Sequence, residues 1–354
     1  MIQEIKTTNS NFFPILRERV DEYFRENNLS KYANNSLIIK AVIFLLVYFG
    51  CWTIVYLNPP VWILIAIIPI ISLSEMGVAM NIMHDANHAA LSRNAKINKL
   101  LGYSMNVLGL DRIIWIIQHN KLHHTHTNID GMDGDIEAPN WLLRFSKYQK
   151  WRPQHKYQHI YCWFFYGLQL ISWFLVGDFE KFSHYKKERL LQKEIKYSSN
   201  IHLLIMVVTK IFYIIYSLVI PMIILPYAWW AILLGWFTML YLVGFLISMI
   251  FQLAHVVDDT IMVAERELNW HEHQLATTSD FAPTNKILSW FVGGLNFQAV
   301  HHLFANVCHT HYTDIRKIIE KTAQESNVNY HCYPTLWKAI KGHATHMRNM
   351  GRKT

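Results

Sequence analysis

Residues 61–88 read VWILIAIIPIISLSEMGVAMNIMHDANH. The first part, 61–83, is apolar over the roughly 20 residues that cross about 30 Å of hydrocarbon. It runs without a break into His84-Asp85-Ala86-Asn87-His88. A membrane-crossing helix that ends in two histidines one turn apart sets the class of the molecule. Positions i and i+4 share a helix face, so both imidazoles can reach one metal ion from the end of the span. Glu75, inside the span, is costly in lipid and marks function or a polar partner between helices. About 13 Å of helix separates it from His84, which favours the polar partner.

Outward from this stretch, residues 36–57, 203–225 and 229–255 meet the same length requirement. Asn58-Pro59-Pro60 joins the first two spans and Pro226-Tyr227-Ala228 the last two. Both connections are short, uncharged and flanked by Tyr56, Trp62, Tyr227, Trp229 and Trp230, the aromatic belt of one membrane interface. The cations gather on the other side. Segment 1–35 holds Lys6, Arg17, Arg19, Arg25 and Lys31; segment 84–202 holds Arg93, Lys96, Lys99, Lys147, Lys150, Lys186 and Lys187; the tail ends in Arg348, Arg352 and Lys353. The positive-inside rule places 1–35, 84–202 and 256–354 in the cytosol, with both termini there. The first ten residues are polar and do not resemble a signal peptide, and the inner membrane of a bacterium is the expected location. The expected fold is therefore all-α and integral to the membrane: four transmembrane helices as two hairpins (36–83 and 203–255), with a helical cytosolic cap. Residues 12–24, with Phe13, Leu16, Val20 and Phe24 at helical spacing, predict an amphipathic helix lying on the membrane. Stretch 160–176 predicts a helix at the interface or within the cap, and Lys40 and Lys210 are expected to snorkel.

Composition agrees. Of 354 residues, 52% are hydrophobic and only 16% charged, against about a quarter charged in soluble domains. An aromatic content of 14% with 14 Gly and 10 Pro excludes a disordered or collagen-like chain. Four cysteines with no CxxC pair exclude a disulfide framework and a thiolate metal site. A net charge of +8 on so apolar a chain points to a membrane surface and not to nucleic acid. Histidine is the anomaly, with 20 residues, more than Gly or Pro.

Two further histidine groups join the first. In His119-Asn120-Lys121-Leu122-His123-His124, His119 and His123 repeat the i, i+4 spacing, and His124 turns by roughly 100° toward a neighbouring point, which suits a pair of metals. In Gln298-Ala299-Val300-His301-His302, the carboxamide lies three and four residues before the two rings, where a further imidazole could sit. His255, at the cytosolic end of the fourth span, adds another ring, and under the four-span topology all these histidines lie on one side of the membrane. Imidazoles without obligatory Cys or carboxylate partners disfavour Ca²⁺, Mg²⁺ and Cu(I) and suit Zn, Fe, Cu or Ni. One tetrahedral zinc takes four ligands, so eight histidines imply two metals. Redox-active iron handling O₂ is the expectation, with zinc left open by ligand type, as in a membrane zinc hydrolase or a metal transporter. Asp130, Asp133, Asp135 and Glu137, just after the second group, are a solvated loop or a layer that hydrogen-bonds the metal-ligand rings. Lys147, Lys150, Arg152, Lys186 and Lys187 fit a CoA phosphate or anionic lipid head groups, with lipid the default.

HDANH, HNKLHH and QAVHH, in this order between and after two hairpins, resemble the three histidine boxes of the integral-membrane fatty-acid desaturases over roughly residues 36–325. The Gln-x-x-His-His form is similar to the front-end and bacterial acyl-lipid or linoleoyl-CoA branch. So are Gly102-Tyr103, Gly109, Thr125-His126-Thr127-Asn128, Asp133, Asp135, Trp270, His273-Gln274-Leu275, Thr277-Thr278 and Leu303-Phe304. Val300 and Ala305 depart from the Glu and Pro common in that branch's third box. The resemblance implies metal ligands at His84, His88, His119, His123, His124, His255, His301 and His302. Gln298 stands where relatives carry a ninth histidine, and His273 is its rival. It also implies two iron ions, O₂ as co-substrate, and a fatty-acyl substrate, CoA- or lipid-linked. No His-Pro-Gly-Gly motif marks a fused cytochrome b5 domain, so electrons are expected from a separate donor of ferredoxin or cytochrome b5 type with its reductase. A lipid hydroxylase or ketolase of the same fold is the alternative.

Overall fold

Apolar length and local capping set most of the helix boundaries. The computed structural model describes residues 11–136 and 138–353; Lys6 and Glu137 lie outside the described residues. In chain order the helices are α1 (Phe12–Glu26), α2 (Asn35–Tyr56), α3 (Val61–Asn87), α4 (Ala95–Val107), α5 (Arg112–His126), α6 (Pro153–Lys187), α7 (Ser199–Ile224) and α8 (Trp229–His255). They continue with α9 (Trp270–Thr277), α10 (Lys286–Phe291), α11 (Gln298–Leu303), α12 (Tyr312–Glu325) and α13 (Leu336–Met350). Asn34 starts α2 by accepting from the Leu37 amide at 3.1 Å, Ser198 starts α7 through Ile201, and Asp111 starts α5 through Ile113 and Ile114. Among the described residues, α2, α3, α6, α7 and α8 are long and apolar enough to cross a membrane. One of these, α6, contains the 160–176 stretch and brings the candidate spans to five, against the four expected; α4 and α5 form an apolar pair bent by 109°. Among the described residues the fold departs from purely α where β1 (Asp280–Phe281) pairs in parallel with β2 (Cys332–Tyr333) and at an isolated parallel bridge between Ile129 and Val263.

The chain divides into two compact units. The first holds residues up to Ala33, Lys121–Ile160 and Ile250 onward; the second holds Asn34–Asn120 and Tyr161–Met249.

In the second unit, α2 shows how a span distributes its residues. Leu37, Phe44, Tyr48, Trp52 and Val55 are buried, while Ile38, Ile39, Val42, Leu46 and Phe49 on the opposite side are exposed. An apolar stripe on both faces of a 22-residue helix, roughly 33 Å long, is what a hydrocarbon solvent requires. Two glycines let α6 and α8 approach closely: a Cβ on Gly244 would lie 2.8 Å from the Gly167 carbonyl oxygen, and one on Gly167 would meet the Tyr241 ring at 2.2 Å. The expectation that Lys210 snorkels is corrected here. Its ammonium is buried, paired with Asp178 at 2.7 Å, and donates to the carbonyls of Gly109 and Phe174 at 3.0 and 2.9 Å. Asp178 also accepts from the Asp111 amide, and Asp111 faces His202 at 3.1 Å, so α5, α6 and α7 share one polar network. Lys40 is buried as well. Glu75 is buried within electrostatic reach of Tyr48, Tyr213 and Tyr216. Between the spans of this unit lies an apolar cavity of about 460 Å³ lined by Trp52, Ile67, Ile71, Pro221, Trp236 and Met239.

In the first unit, α1 does not lie on lipid as its periodicity suggests. Phe12, Leu16 and Val20 are buried in a protein core with Leu275, Phe297, Val300, Leu303, Ile315 and Ile319, which joins α1 to α9, α11 and α12. Arg19 fixes its polar side to Glu325 at 2.6 Å. The same apolar stripe serves protein or membrane, and α11 and α12 supply the protein partner.

Candidate metal centre

Every ring predicted as a ligand sits on a helix or at its end, and all but His119, midway along α5, lie near a terminus. In the second unit, His84 and His88 at the end of α3 and His119 on α5 come together, with ring centroids 4.7, 5.5 and 5.2 Å apart. Trp115, one turn before His119, stacks on it at 4.5 Å and meets His84 and His88 edge-on at 5.8 and 5.7 Å. The indole thus packs against all three rings. Asn87, between the two α3 histidines, accepts from the Arg112 guanidinium at 2.7 Å, and its carbonyl accepts from the Asn120 amide at 2.9 Å. These bonds tie the end of α3 to α5. Segments 79–83 and 116–123 are π-helical, with i→i+5 bonding. The second box is therefore wound differently from the regular α-helix its spacing suggests.

In the first unit, five rings gather in two overlapping sets. His123, His255 and His302 form one triangle, with centroids 4.8, 4.9 and 5.0 Å apart. His124 and His301 share His302 as the second set; His124 stacks on His302 at 4.5 Å, and the Nε2 atoms of His124 and His301 face each other at 3.0 Å. Within each set the candidate ligand atoms lie within 4.8 Å of one another, a spacing that one bound ion can bridge.

The Nδ1 atoms explain the orientation of these rings. His123 Nδ1 meets both oxygens of Asp133 at 2.9 and 3.0 Å. His302 Nδ1 meets Gln274 Oε1 at 2.6 Å, His255 Nδ1 donates to the Thr277 carbonyl at 3.3 Å, and His301 Nδ1 lies 3.3 Å from the Tyr312 hydroxyl. With Nδ1 engaged by protein, Nε2 is left to face the centre, the arrangement metal-binding imidazoles use. Nε2 of His255 is buried with no hydrogen bond, and so is Oε1 of Gln298, whose amide donates to the Leu295 carbonyl at 2.7 Å. The open, buried nitrogen of His255 beside His123 and His302 fits a metal ion.

The acidic loop divides. Asp133 is buried, and besides His123 it accepts from the amides of Asn128 and Asp135 at 2.8 and 3.1 Å; Asp135 itself is half-buried. The Asp130 amide donates to the Val263 carbonyl. His273 belongs to neither set: its Nε2 is 2.7 Å from the Thr127 carbonyl, and burial lowers its pKa. Sequence reasoning missed Gln274 as a ring holder, Trp115 as a cover, and Asn128, whose amide donates to the carbonyls of His255, Ile261 and Thr277 at 2.9, 3.0 and 3.2 Å. It also missed Asp280 on β1, which starts α11 by accepting from the Ala299 amide at 2.9 Å and takes the Tyr330 hydroxyl at 2.5 Å. Burial raises the Asp280 carboxyl to about 6, against which these two hydrogen bonds act.

A fatty acid desaturase family model matches residues 58–334. The chain is similar to the sn-1 linoleoyl-lipid 6-desaturase of Synechocystis sp., 33% identical over 98% of this chain and 97% of that protein. It is 32% identical to the protein of the same name from Arthrospira platensis, over 95% of this chain and 91% of that one. The acyl-lipid (8-3)-desaturase of Physcomitrium patens is 30% identical over 97% of this chain and 72% of its own length. The likeness therefore runs from the first helices through the last histidine box and takes in both units. With its apolar helices and buried imidazole sets, the chain is a membrane oxidoreductase and belongs to the fatty acid desaturase family.

Proposed function

We propose that the protein is an acyl-lipid desaturase that uses O₂ to insert a cis double bond into a lipid-linked acyl chain, at a centre of two iron ions. The observation that carries this reading is the gathering of eight histidines into close sets, with the rings of His123, His255 and His302 held from behind by protein. Iron bound there supplies an oxidant strong enough for an unactivated CH₂–CH₂ pair, which no side chain can attack, and O₂ ends as water. His84, His88 and His119 would be metal ligands in the second unit, and His123, His124, His255, His301 and His302 in the first. Gln298 is the ninth donor in this reading, because its carboxamide oxygen is open, whereas His273 has committed Nε2 to a backbone carbonyl and acts as a brace.

The remaining work falls to other side chains. Asp133 fixes the tautomer of His123 and offsets part of the positive charge of a bound metal. Gln274 does the same for His302 without charge and draws the Thr127 hydroxyl to the same oxygen at 2.9 Å. Trp115, packed against one trio, would shield an oxidant there from water. The substrate is assigned to a glycerolipid in preference to a CoA ester, on the names of the similar cyanobacterial proteins. Two electrons are needed for each double bond, and a separate soluble donor of ferredoxin or cytochrome b5 type delivers them. The excess of cations in 84–202 and at both termini puts that face in the cytosol.

Expression in a bacterial host with iron and O₂, followed by mass-resolved gas chromatography of fatty-acid methyl esters from separated lipid classes, tests the reading. The expected product is lighter by two hydrogens, resides in glycerolipid, and is absent from the His301→Ala variant. A product heavier by one oxygen would make the protein a hydroxylase of the same fold.

A further inference from the structure

Residues 138–177 and 326–353 contain no Asp or Glu, yet they carry Arg144, Lys147, Lys150, Arg152, Lys156, Lys338, Lys341, Arg348, Arg352 and Lys353. Parts of these distant stretches are built together within the first unit. Arg144 is 3% exposed, and its guanidinium donates to the carbonyls of Lys147, Gln149, Met350 and Arg352 at 2.9, 2.8, 2.8 and 3.3 Å. The Trp151 indole donates to the Gly351 carbonyl at 2.8 Å, His346 reaches the Phe145 carbonyl, and Gln158 reaches the Met347 carbonyl. Gly351 approaches so closely that a Cβ there would lie 2.3 Å from the His155 carbonyl oxygen. One buried cation thus staples the 144–152 loop and the start of α6 to the end of α13. The cations around it, Lys147, Lys150, Arg152, Arg352 and Lys353, are exposed. The staple holds them on a fixed backbone with no carboxylate in either stretch to neutralise them.

The same surface carries exposed aromatic and aliphatic groups. Trp141 is 60% exposed, Tyr148 46%, Tyr157 55% and Ile160 64%. The chain passes from Lys156-Tyr157 directly into the apolar length of α6. Lys147 lies over the Tyr148 ring, Lys156 over Tyr157 and Lys353 over Trp151. Trp and Tyr mixed with Lys and Arg at the end of an apolar helix is the composition of a membrane interface, where the rings sit at head-group level and the cations meet phosphates. A docking face for a soluble acidic protein would have no use for an exposed Ile160 at its edge.

We propose that the 144–152 loop, the start of α6 and the end of α13 form a binding site for the phosphate of an anionic membrane lipid, with Lys147, Lys150 and Arg152 as its principal contacts. Arg152 can grip a phosphate with two parallel hydrogen bonds, whereas the lysines act as point charges. The inference rests on the protein being in a membrane and is independent of the chemistry at the histidines.

The test uses the full chain in nonionic detergent, titrated with phosphatidylglycerol or phosphatidylcholine while thermal unfolding is followed. Phosphatidylglycerol should raise the melting temperature saturably, phosphatidylcholine should not, and the effect should weaken with salt. Each cation near such a surface contributes roughly fivefold. The triple variant Lys147→Gln, Lys150→Gln, Arg152→Gln should therefore need on the order of a hundredfold more phosphatidylglycerol. Lys147→Arg with Lys150→Arg should keep the wild-type midpoint, which separates lost charge from lost folding. An equal shift with glycerol 3-phosphate would mean a free-phosphate site and overturn the proposal. An unchanged lipid midpoint in the triple variant would overturn it too. If that variant instead loses only the rate of reduction by an acidic redox protein, the patch belongs to the donor.

Discussion

Asp133 and Gln274 do the same job by different means, and that difference is measurable. Asp133 places a buried carboxylate on His123 Nδ1, while Gln274 places a neutral oxygen on His302 Nδ1. Groups that orient a metal-bound imidazole are commonly worth about 10- to 100-fold in metal affinity or activity. Asp133→Asn should lower metal content and product yield by about that much, while far-ultraviolet dichroism stays at wild type; Gln274→Ala should do so too. Wild-type metal content in both would remove the positioning role. The histidines themselves were legible because i, i+4 spacing is a local signal. Gln274 and Asn128 were not, because neither meets its partner at a helical spacing: Gln274 reaches His302, 28 residues on, and Thr127, 147 residues back, and Asn128 reaches His255, 127 residues on. Trp115 looked like one more apolar residue. Nothing in its neighbours announces that it stacks on His119.

Elements follow a similar rule. The spans were readable since hydrocarbon thickness fixes their length, and the observed Asn35–Tyr56 and Trp229–His255 match the apolar runs to within a residue. The π-helical turns before and within two histidine boxes have no periodic signature and could not be read. Polar groups inside spans were misjudged for a physical reason: sequence shows that Lys210 lies in an apolar run but not that Asp178, 32 residues earlier, faces it. Breaking that pair should be costly. Lys210→Met leaves Asp178 buried with an unneutralised charge, a loss of about 3–5 kcal/mol for such pairs. Asp178→Asn in the same chain should recover part of it, since the amide oxygen can still accept from the Asp111 amide. Melting temperature in one detergent measures both; equal stability of Lys210→Met and wild type would show that the pair does not hold α6 to α7. α1 was mistaken for a membrane-surface helix because a stripe of Phe, Leu and Val carries no information about what covers it.

At the scale of the molecule, pH and metal content are the informative variables. His343 on α13 is buried, donates to the Val256 carbonyl at 2.6 Å, and burial lowers its pKa from 6.5 to about 3. The folded chain therefore holds fewer protons there than the unfolded chain. The stability this neutral ring contributes is complete above pH 6.5 and is lost as pH falls from 6.5 toward 3. Asp280 opposes it. Its carboxyl is raised by burial from 3.8 to about 6, so stability present below 3.8 is lost as pH rises through that window. His343→Gln should therefore shrink the fall in melting temperature between neutral and mildly acidic buffer. A fall as large as in wild type would mean that His343 is already protonated in the fold.

The proposed function requires the gathered imidazoles to hold two redox-active irons. Metal analysis of the purified full chain tests it most directly, with the His302→Ala variant alongside, because His302 belongs to both sets in the first unit. The account predicts about two irons per wild-type chain and a clear loss in the variant. Stoichiometric zinc without iron, or a metal content that does not change when His302 is removed, would contradict it.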